Sequence, residues 1–196
     1  FRGTTAQQTA VIWNGININS QLNGQTDFNT LTSRDFNSIV VRSGGGSVIY
    51  GSGAIGGTIH LNNEFSFKDK FENHLRLDFG SFSTYSANYT LTLANEKFSA
   101  DASVSHNQSE NDYEYLGYNK RNENGQYQNT SFNWHIGYRI NSNNEVHIFS
   151  HLFDGDRHFS GTIASPSRSK YLDFNTRNLL EWINYSGLFT SKTKIA

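Results

Sequence analysis

The sequence of 196 residues contains no cysteine and no methionine. The lack of cysteine excludes disulfide scaffolds, thiolate metal sites and cysteine nucleophiles, so a metal ion would need histidine or oxygen ligands. The lack of methionine means that there is no initiator residue, and we expect the sequence to be part of a longer polypeptide. No run approaches the roughly 18 apolar residues of a transmembrane helix, which excludes a helical membrane protein.

Charge is also scarce. The 16 Lys and Arg residues nearly balance the 17 Asp and Glu residues, so the basic excess that usually accompanies nucleic-acid binding is missing and no nucleic-acid partner is expected. Charged residues make up 17% and hydrophobic residues 35%, against about 25% and about 45–50% in ordinary soluble domains. Uncharged polar residues fill the difference.

Aromatic residues are abundant and unevenly placed. Of the 3 Trp, 10 Tyr and 15 Phe residues, only five lie in residues 1–63, whereas ten of the 17 glycines lie there. This shift in composition predicts two regions, residues 1–63 and residues 64–196.

The second region alternates between apolar and polar residues with period two, which predicts strands with one apolar and one polar face. Residues 145–153 are less regular, because Phe149 and Phe153 share a face with the polar residues His147 and His151. The pattern of residues 175–185 is also ambiguous. The regular apolar rows are Leu75, Leu77, Phe79; Tyr85, Ala87, Tyr89, Leu91, Leu93; Phe98, Ala100, Ala102, Val104; and Phe132, Trp134, Ile136, Tyr138, Ile140.

The connections between these strands alternate in length. Short turns at 95–96 and 141–144 alternate with long polar stretches at 109–129 and 154–174. A soluble β-sandwich, which remains an alternative, has no reason for this asymmetry, whereas an outer-membrane barrel has short turns on one side, long loops on the other and aromatic girdles. Six or seven strands cannot close a wide barrel, so we expect the remaining strands to lie in a longer chain.

The first region contains three short apolar runs, at 11–13, 39–41 and 48–50, and a tight-turn dipeptide, Asn14-Gly15. Gly51, Gly53 and Gly56 satisfy the spacing G-x-G-x-x-G of dinucleotide-binding loops. That motif requires a helix to open at its third glycine, whereas here β-branched residues follow. A nucleotide site is therefore not expected.

Residues 1–63 resemble the later part of the plug domain of TonB-dependent outer-membrane receptors. The resemblance rests on Phe1-Arg2-Gly3, on Val11–Asn19, and most specifically on Arg42–Ile59, with its Tyr50-Gly51 and Gly56-Gly57 pairs. Asn14, Ser43-Gly44 and Val40 depart from the usual Asp, Gly-Pro and Glu, which weakens any inference about particular salt bridges of the plug.

The resemblance implies an all-β membrane barrel, 22-stranded in the full-length family, around an α+β plug in the bacterial outer membrane. The chain would hold the C-terminal part of the plug and the first six or seven barrel strands. Expected partners are outer-membrane lipid, a nutrient ligand, and TonB through a plug segment outside this chain. No cofactor is expected, and no grouping of nucleophile, base and acid supports an enzyme.

The resemblance also implies roles for individual residues. The loop after the plug strand would touch the ligand through its uncharged side chains, although these residue types are also those of an ordinary surface turn. Thr4–Gln8 could belong to the same apex. The candidate ligand residues are Asn19, Ser20, Gln21, Asn23, Gln25 and Thr26.

A second set of residues is expected to have structural roles. Arg2 and Arg42 would pair with acids of the barrel, and the glycines would allow close packing of the plug against the barrel wall. These glycines are Gly51, Gly53, Gly56 and Gly57.

Calcium is a further possibility in the long polar stretches, at Asp112 and Glu114 and at Asp154 and Asp156, although charged external loops are usually only solvated. His147 and His151 lie about 13 Å apart along a strand, too far for one metal ion. We expect them to line the barrel lumen.

The function implied is TonB-dependent uptake of a scarce, bulky nutrient. Neutral amides and hydroxyls favour cobalamin over an anionic iron chelate or haem, for which a basic lining would help. The alternative function is a β-barrel surface adhesin or a component of an outer-membrane secretion or docking complex, with a surface lipoprotein or secretion protein as its partner.

Overall fold

The computed structural model describes residues 3–196, and the predicted plug residue Arg2 lies outside them. The chain forms two compact units, the second of which comprises Phe65–Ala196. Among the described residues, no helix is long and apolar enough to cross a membrane.

The first unit is a small mixed sheet with short helices. The elements are β1 (Thr9–Trp13), β2 (Ile16–Asn17), β3 (Ser38–Ser43), α1 (Ser47–Tyr50) and β4 (Gly57–Asn62), with 3₁₀ turns at Ala6–Gln8, Phe28–Thr30, Ser33–Asp35 and Ser52–Ala54. The strand order is β2-β1-β4-β3, with β1 parallel to β4 and the other pairs antiparallel. The predicted tight turn joins β1 to β2, and Asn14 and Gly15 both have positive φ, 45° and 88°.

The core of the first unit is centred on β1. Four consecutive residues of this strand are buried, because the strand is central in the sheet and is covered on both faces. Ala54 packs against Ala10 and Ile12, and Tyr50 borders this cluster. The run at 48–50 is helical rather than extended, because the Gly46 carbonyl accepts bonds from the backbone N–H groups of Ile49 and Tyr50.

The second unit is built on one antiparallel sheet of seven strands in the order β13-β12-β11-β10-β7-β6-β5. Its long strands are β5 (Lys70–Gly80), β6 (Thr84–Ala94), β7 (Phe98–Ser109), β10 (Tyr127–Asn141), β11 (Asn144–Gly161), β12 (Pro166–Ser186) and β13 (Phe189–Ile195). A separate small hairpin consists of β8 (Glu114–Tyr115) and β9 (Lys120–Arg121).

The faces of this sheet are inverted relative to those of a soluble protein. The row of predominantly polar residues, here called the polar face, is largely buried; it includes Ser103, Asn133 and His135. The row of apolar residues, here called the apolar face, is largely exposed; it includes Leu75, Val104, Phe132, Ile148 and Trp182. The predicted alternation is confirmed, and within residues 65–196 no second sheet covers the apolar face.

The two irregular segments are also strands. Phe149 and Phe153 are buried on the polar face, beside His147 and His151, so the mixed pattern reflects two aromatic residues on that face. Residues 175–185, which the pattern left ambiguous, belong to β12.

The prediction of a long loop at 154–174 is wrong. Strands β11 and β12 continue through it as a paired extension, which Thr162–Ser165 closes. Asp154 and Asp156 therefore lie in β11, opposite Phe174 and Leu172. The pattern failed here because polar residues occupy both faces of the extension, which removes the alternation on which a strand prediction depends.

The inverted faces generate a test. Leu91 lies on the apolar face and Thr90 on the polar face of the same strand, β6. In the full-length receptor we expect Leu91→Arg to impair barrel assembly, because a cation on the lipid face near the bilayer midplane costs about 2–4 kcal/mol, whereas Thr90→Arg should be tolerated. The heat-dependent gel shift of the folded protein measures assembly, and equal effects of the two changes would contradict the assignment of the faces.

Candidate functional site

The predicted ligand loop is a closed turn in the first unit. The Ser20 N–H donates to the Gln25 carbonyl at 3.0 Å, and the Gly24 N–H donates to the Ser20 carbonyl at 2.8 Å. Gly24 has a φ of 71°, which favours glycine at that position. The loop thus has a defined conformation rather than that of a free linker.

Asn19 braces this loop against β1. Its Oδ1 accepts from the Val11 N–H at 2.8 Å and from the Thr26 hydroxyl at 3.1 Å. Its Nδ2 donates to the carbonyls of Thr9 and Gly24, both at 2.9 Å. Four hydrogen bonds occupy this amide, so the structure gives Asn19 a structural role and leaves it little capacity for a ligand.

The other predicted residues differ in their availability. Ser20 Oγ and Asn23 Oδ1 accept local backbone bonds from Leu22 and Gln25, both at 3.2 Å, which leaves the Asn23 amide nitrogen free to donate. Gln21 is exposed at the tip, beside Leu22, whose side chain is 95% exposed. The loop therefore presents neutral amide groups together with one apolar side chain, and sequence reasoning missed the latter. Contact of this loop with a ligand stays a prediction.

Thr4–Gln8, the other predicted part of the apex, begins a short helical turn. The Thr5 N–H donates to Gln8 Oε1 at 3.0 Å, next to the 3₁₀ turn Ala6–Gln8. The side-chain amide oxygen of Gln8 is therefore already hydrogen-bonded within this turn.

The glycine-rich segment packs within the first unit. A Cβ added at Gly56 would lie 2.6 Å from Thr4 Oγ1 and 2.9 Å from the Gln8 carbonyl, to which the Gly56 N–H donates. At Gly51 the requirement is conformational instead, since φ is 81° and nothing lies within 4 Å of an added Cβ. Strand β4 begins at Gly57, directly after the third glycine of the motif, so no helix opens there.

Arg42 lies exposed on β3 opposite Thr58 of β4. Arg42 also affects His60 of the same unit. The pKa of the His60 imidazole is lowered below its usual value, mainly by burial and in addition by the charge of the Arg42 guanidinium. His60 also makes a 2.9 Å hydrogen bond with the Thr58 hydroxyl. Pairing of Arg42 with an acid of the barrel stays a prediction.

The polar face of the second unit carries a network of charged groups. His147 lies between two carboxylates, with Nδ1 3.1 Å from Glu181 and Nε2 3.4 Å from Glu145. Arg139 pairs with Glu145 at 2.8 Å, and Lys194 pairs with Glu181 at 3.2 Å.

Further pairs continue along the same face. His135 and Asp101 lie 3.1 Å apart, His151 Nδ1 bonds to Asn133 Oδ1, and Arg157 pairs with Asp173. Most of these partners are adjacent across strands. The sequence predicts that His147 and His151 line the lumen, which stays a prediction, but it does not reveal this pairing, because strand register is not visible in the sequence.

The four candidate calcium ligands do not converge. Arg121 donates to Asp112 at 3.0 Å, and His158 lies 3.3 Å from Asp156. Asp154 and Asp156 line a shallow cavity of about 380 Å³ with Phe174, while Glu114 lies in the separate hairpin at β8. Within residues 3–196, no group of three or more His, Asp or Glu side chains could hold a metal ion.

Two asparagines that the sequence did not single out hold the stretch 109–129 in place. Asn124 Nδ2 donates to the carbonyls of Phe159, Ser167 and Ser169, at 2.9–3.3 Å. Asn122 Nδ2 donates to the Asn111 carbonyl at 2.7 Å. Both side chains are buried. Asn124 fixes the stretch to the β11–β12 extension, and Asn122 fixes it internally.

Comparison with known proteins identifies the first unit. Residues 1–58 match the family model of the TonB-dependent Receptor Plug Domain. A search of curated proteins found no match.

Three solved structures share the fold. The copper transporter OprC is 16% identical, with a TM-score of 0.74 over 98% of this chain and 30% of that chain. FpvA of P. aeruginosa, solved with heterologous pyoverdines, is 12% identical, with a TM-score of 0.69 over 94% of this chain and 26% of that one. The siderophore receptor PirA from Acinetobacter baumannii is 15% identical, with a TM-score of 0.66 over 98% of this chain and 32% of that one.

Residues 1–58 carry the plug-domain sequence of TonB-dependent receptors, and the chain shares the fold of solved transporters and receptors that are 12–16% identical to it. It spans about 30% of the length of the solved structures that it matches. TonB-dependent receptors are outer-membrane proteins, and the plug sequence and the fold indicate the same location for this chain.

The Asn19 brace generates a second prediction. In the full-length receptor, Asn19→Ala should expose the Val11 amide, because the side-chain oxygen that accepts its proton is lost; each lost bond contributes about 1 kcal/mol. Hydrogen–deuterium exchange should then be at least about fivefold faster at Val11 and across 20–26. Gln21→Ala, at the exposed tip, is the matched control, and unchanged exchange in Asn19→Ala would refute the brace.

The glycine segment generates a third prediction. Gly56→Ala should loosen the plug, at a cost of about 1–3 kcal/mol for overpacking, and raise passive leakage of large antibiotics through the full-length receptor. Ser52→Ala is the control, because Ser52 is an exposed residue of the same segment. Equal leakage in the two variants, or calorimetric binding of NAD or ATP at micromolar affinity, would contradict this role of the segment.

Proposed function

We propose that the full receptor containing this chain transports a scarce, bulky nutrient across the outer membrane, driven by TonB acting on the plug. The observation that carries this proposal is the combination of a plug sequence with a sheet whose apolar face is exposed and whose polar face is charged and internally paired. A plug sequence followed by lipid-facing strands is suited to gated passage rather than to catalysis.

We propose that the ligand is recognised chiefly through hydrogen bonds to neutral groups. The support is the loop at residues 20–25, in which the amides of Gln21 and Asn23 stand beside the exposed Leu22 and no charged side chain is present. A large ligand with many amide groups and an apolar ring, such as cobalamin, matches this surface better than an anionic iron chelate or haem. The names of the solved neighbours refer to copper and siderophores and belong to those proteins.

Uptake measurements test transport itself. Cells that express the full receptor should accumulate the nutrient only when TonB and the proton-motive force are intact, while binding at the cell surface should not require either. Surface binding that persists without any TonB-dependent uptake would favour the alternative function, an adhesin or a component of a docking complex.

A loop variant tests the ligand assignment. Replacing Gln21, Asn23 and Gln25 together by alanine, while keeping Asn19, removes neutral groups without removing the brace. At about 1 kcal/mol per lost hydrogen bond, three losses should weaken cyanocobalamin binding by roughly 100-fold. Gln128→Ala, in a strand of the second unit, is the control. Unchanged binding in the triple variant would exclude the loop as the contact surface, and binding of a ferric siderophore instead would exclude cobalamin.

A further inference from the structure

The segment that follows the plug makes specific contacts before the first strand of the sheet begins. Residues 65–69 have no regular secondary structure, and β5 starts at Lys70. Within this segment Phe65 and Phe67 are half-buried, while Ser66 and Lys68 are exposed. Both phenylalanines therefore turn towards the protein.

Phe65 lies in a pocket formed by the polar face of β10 and β11. Its ring centroid is 4.1 Å from the imidazole of His147, 5.2 Å from that of His135 and 5.4 Å from the ring of Phe149. The contact with His135 is edge-on, at an interplanar angle of 80°. Aromatic rings at these separations attract one another beyond the effect of burial alone.

Gly137 makes room for this ring. It lies on β10 opposite His147 of β11 and Ser99 of β7. A Cβ at this position would lie 2.6 Å from Cδ1 and 2.9 Å from Cγ of Phe65. The neighbour that would have to move is a ring held on several sides, so even alanine would displace it.

The charged network holds the rings that form the pocket. His147 Nδ1 is hydrogen-bonded to Glu181 at 3.1 Å, and Glu145 lies 3.4 Å from Nε2 on the other side of the ring. Asp101 lies 3.1 Å from Nε2 of His135. The hydrogen bond at Nδ1 restricts the His147 imidazole in orientation as well as in position. The pocket is thus preformed by pairs across β7, β10, β11 and β12.

Phe67 makes the second contact. The guanidinium carbon of Arg139 lies 3.9 Å from the centroid of the Phe67 ring, within the range of a cation–π interaction. The same guanidinium pairs with Glu145, which also contacts His147. The sites of Phe65 and Phe67 are therefore joined through one carboxylate.

We propose that Phe65 and Phe67 are an anchor that fixes the chain to the polar face of β10–β11 before it enters β5, so that tension arriving from the plug is resisted there first. Without the anchor, a pull on residue 64 would be applied to the hydrogen bonds between β5 and β6 at the pair Lys70–Ala94, which can open one at a time. The anchor concerns the mechanics of the junction and holds whichever ligand the receptor carries.

Pulling on single molecules tests the anchor. The full-length receptor, in outer-membrane patches, is stretched from the N-terminus of the plug by force spectroscopy. In the wild type, a force peak should appear when the chain has been released up to Phe65, before the first barrel strand yields; this peak is called the stop. In Phe65→Ala the stop should move to Phe67, two residues or roughly 7 Å further, where Arg139 still holds the ring. In the double variant Phe65→Ala/Phe67→Ala, extension should continue to Lys70, five residues or roughly 18 Å beyond Phe65.

Two further variants make the result specific. Gly137→Ala, which fills the pocket from the opposite side, should shift the stop in the same way as Phe65→Ala. Phe71→Ala, on the exposed face of β5 and 71% exposed in the wild type, should leave it at Phe65. Heat-dependent gel shifts confirm that each barrel is assembled. A wild-type trace with no stop at Phe65 would overturn the proposal by itself. An equal shift in Phe71→Ala would also overturn it. Loss of nutrient uptake alone would bear only on the proposed function.

Discussion

The inverted sheet of the second unit is the constraint on which the rest of the structure depends. In hydrocarbon every backbone polar group must be satisfied within the protein, so strands are acceptable only when each edge is paired and the outward side chains are apolar. The exposed rows around Leu75, Val104 and Phe132 meet the second condition. Even Ser150 and Asn178, which interrupt the apolar face, satisfy each other through a 2.9 Å hydrogen bond.

Once the apolar face is committed to lipid, polarity has to concentrate on the other face. The carboxylates there are largely buried, where an unpaired ion is costly, and each has a basic partner. The resulting series Lys194–Glu181–His147–Glu145–Arg139 alternates basic and acidic side chains, with the imidazole of His147 at its centre. This network orients His147, and the orientation of His147 creates the site that Phe65 fills.

The sequence predicts those elements whose residue pattern has a single physical cause. Period-two rows such as those of β6 and β10 arise because lipid selects one face, and the Asn14-Gly15 turn follows from backbone sterics alone. The extension of β11 and β12 past Asp154 was missed, because its stability comes from pairing and from buried Asn124 rather than from amphipathicity. The role of Asn19 was also missed, since an amide that braces a loop and one that binds a ligand have the same composition.

Gly137 shows why the junction could not be predicted from sequence. A glycine within a strand indicates a bulge or a close approach, and nothing in the sequence says which other segment approaches. The approaching ring belongs to Phe65, 72 residues earlier in the chain. Phe65 and Phe67 are two residues apart, like apolar side chains on one face of a strand, so the local pattern indicates that both belong to the apolar face. In the structure both rings instead contact the polar face. There the network supplies aromatic and cationic partners that lipid cannot, and this difference in available partners explains why these two phenylalanines leave the apolar face.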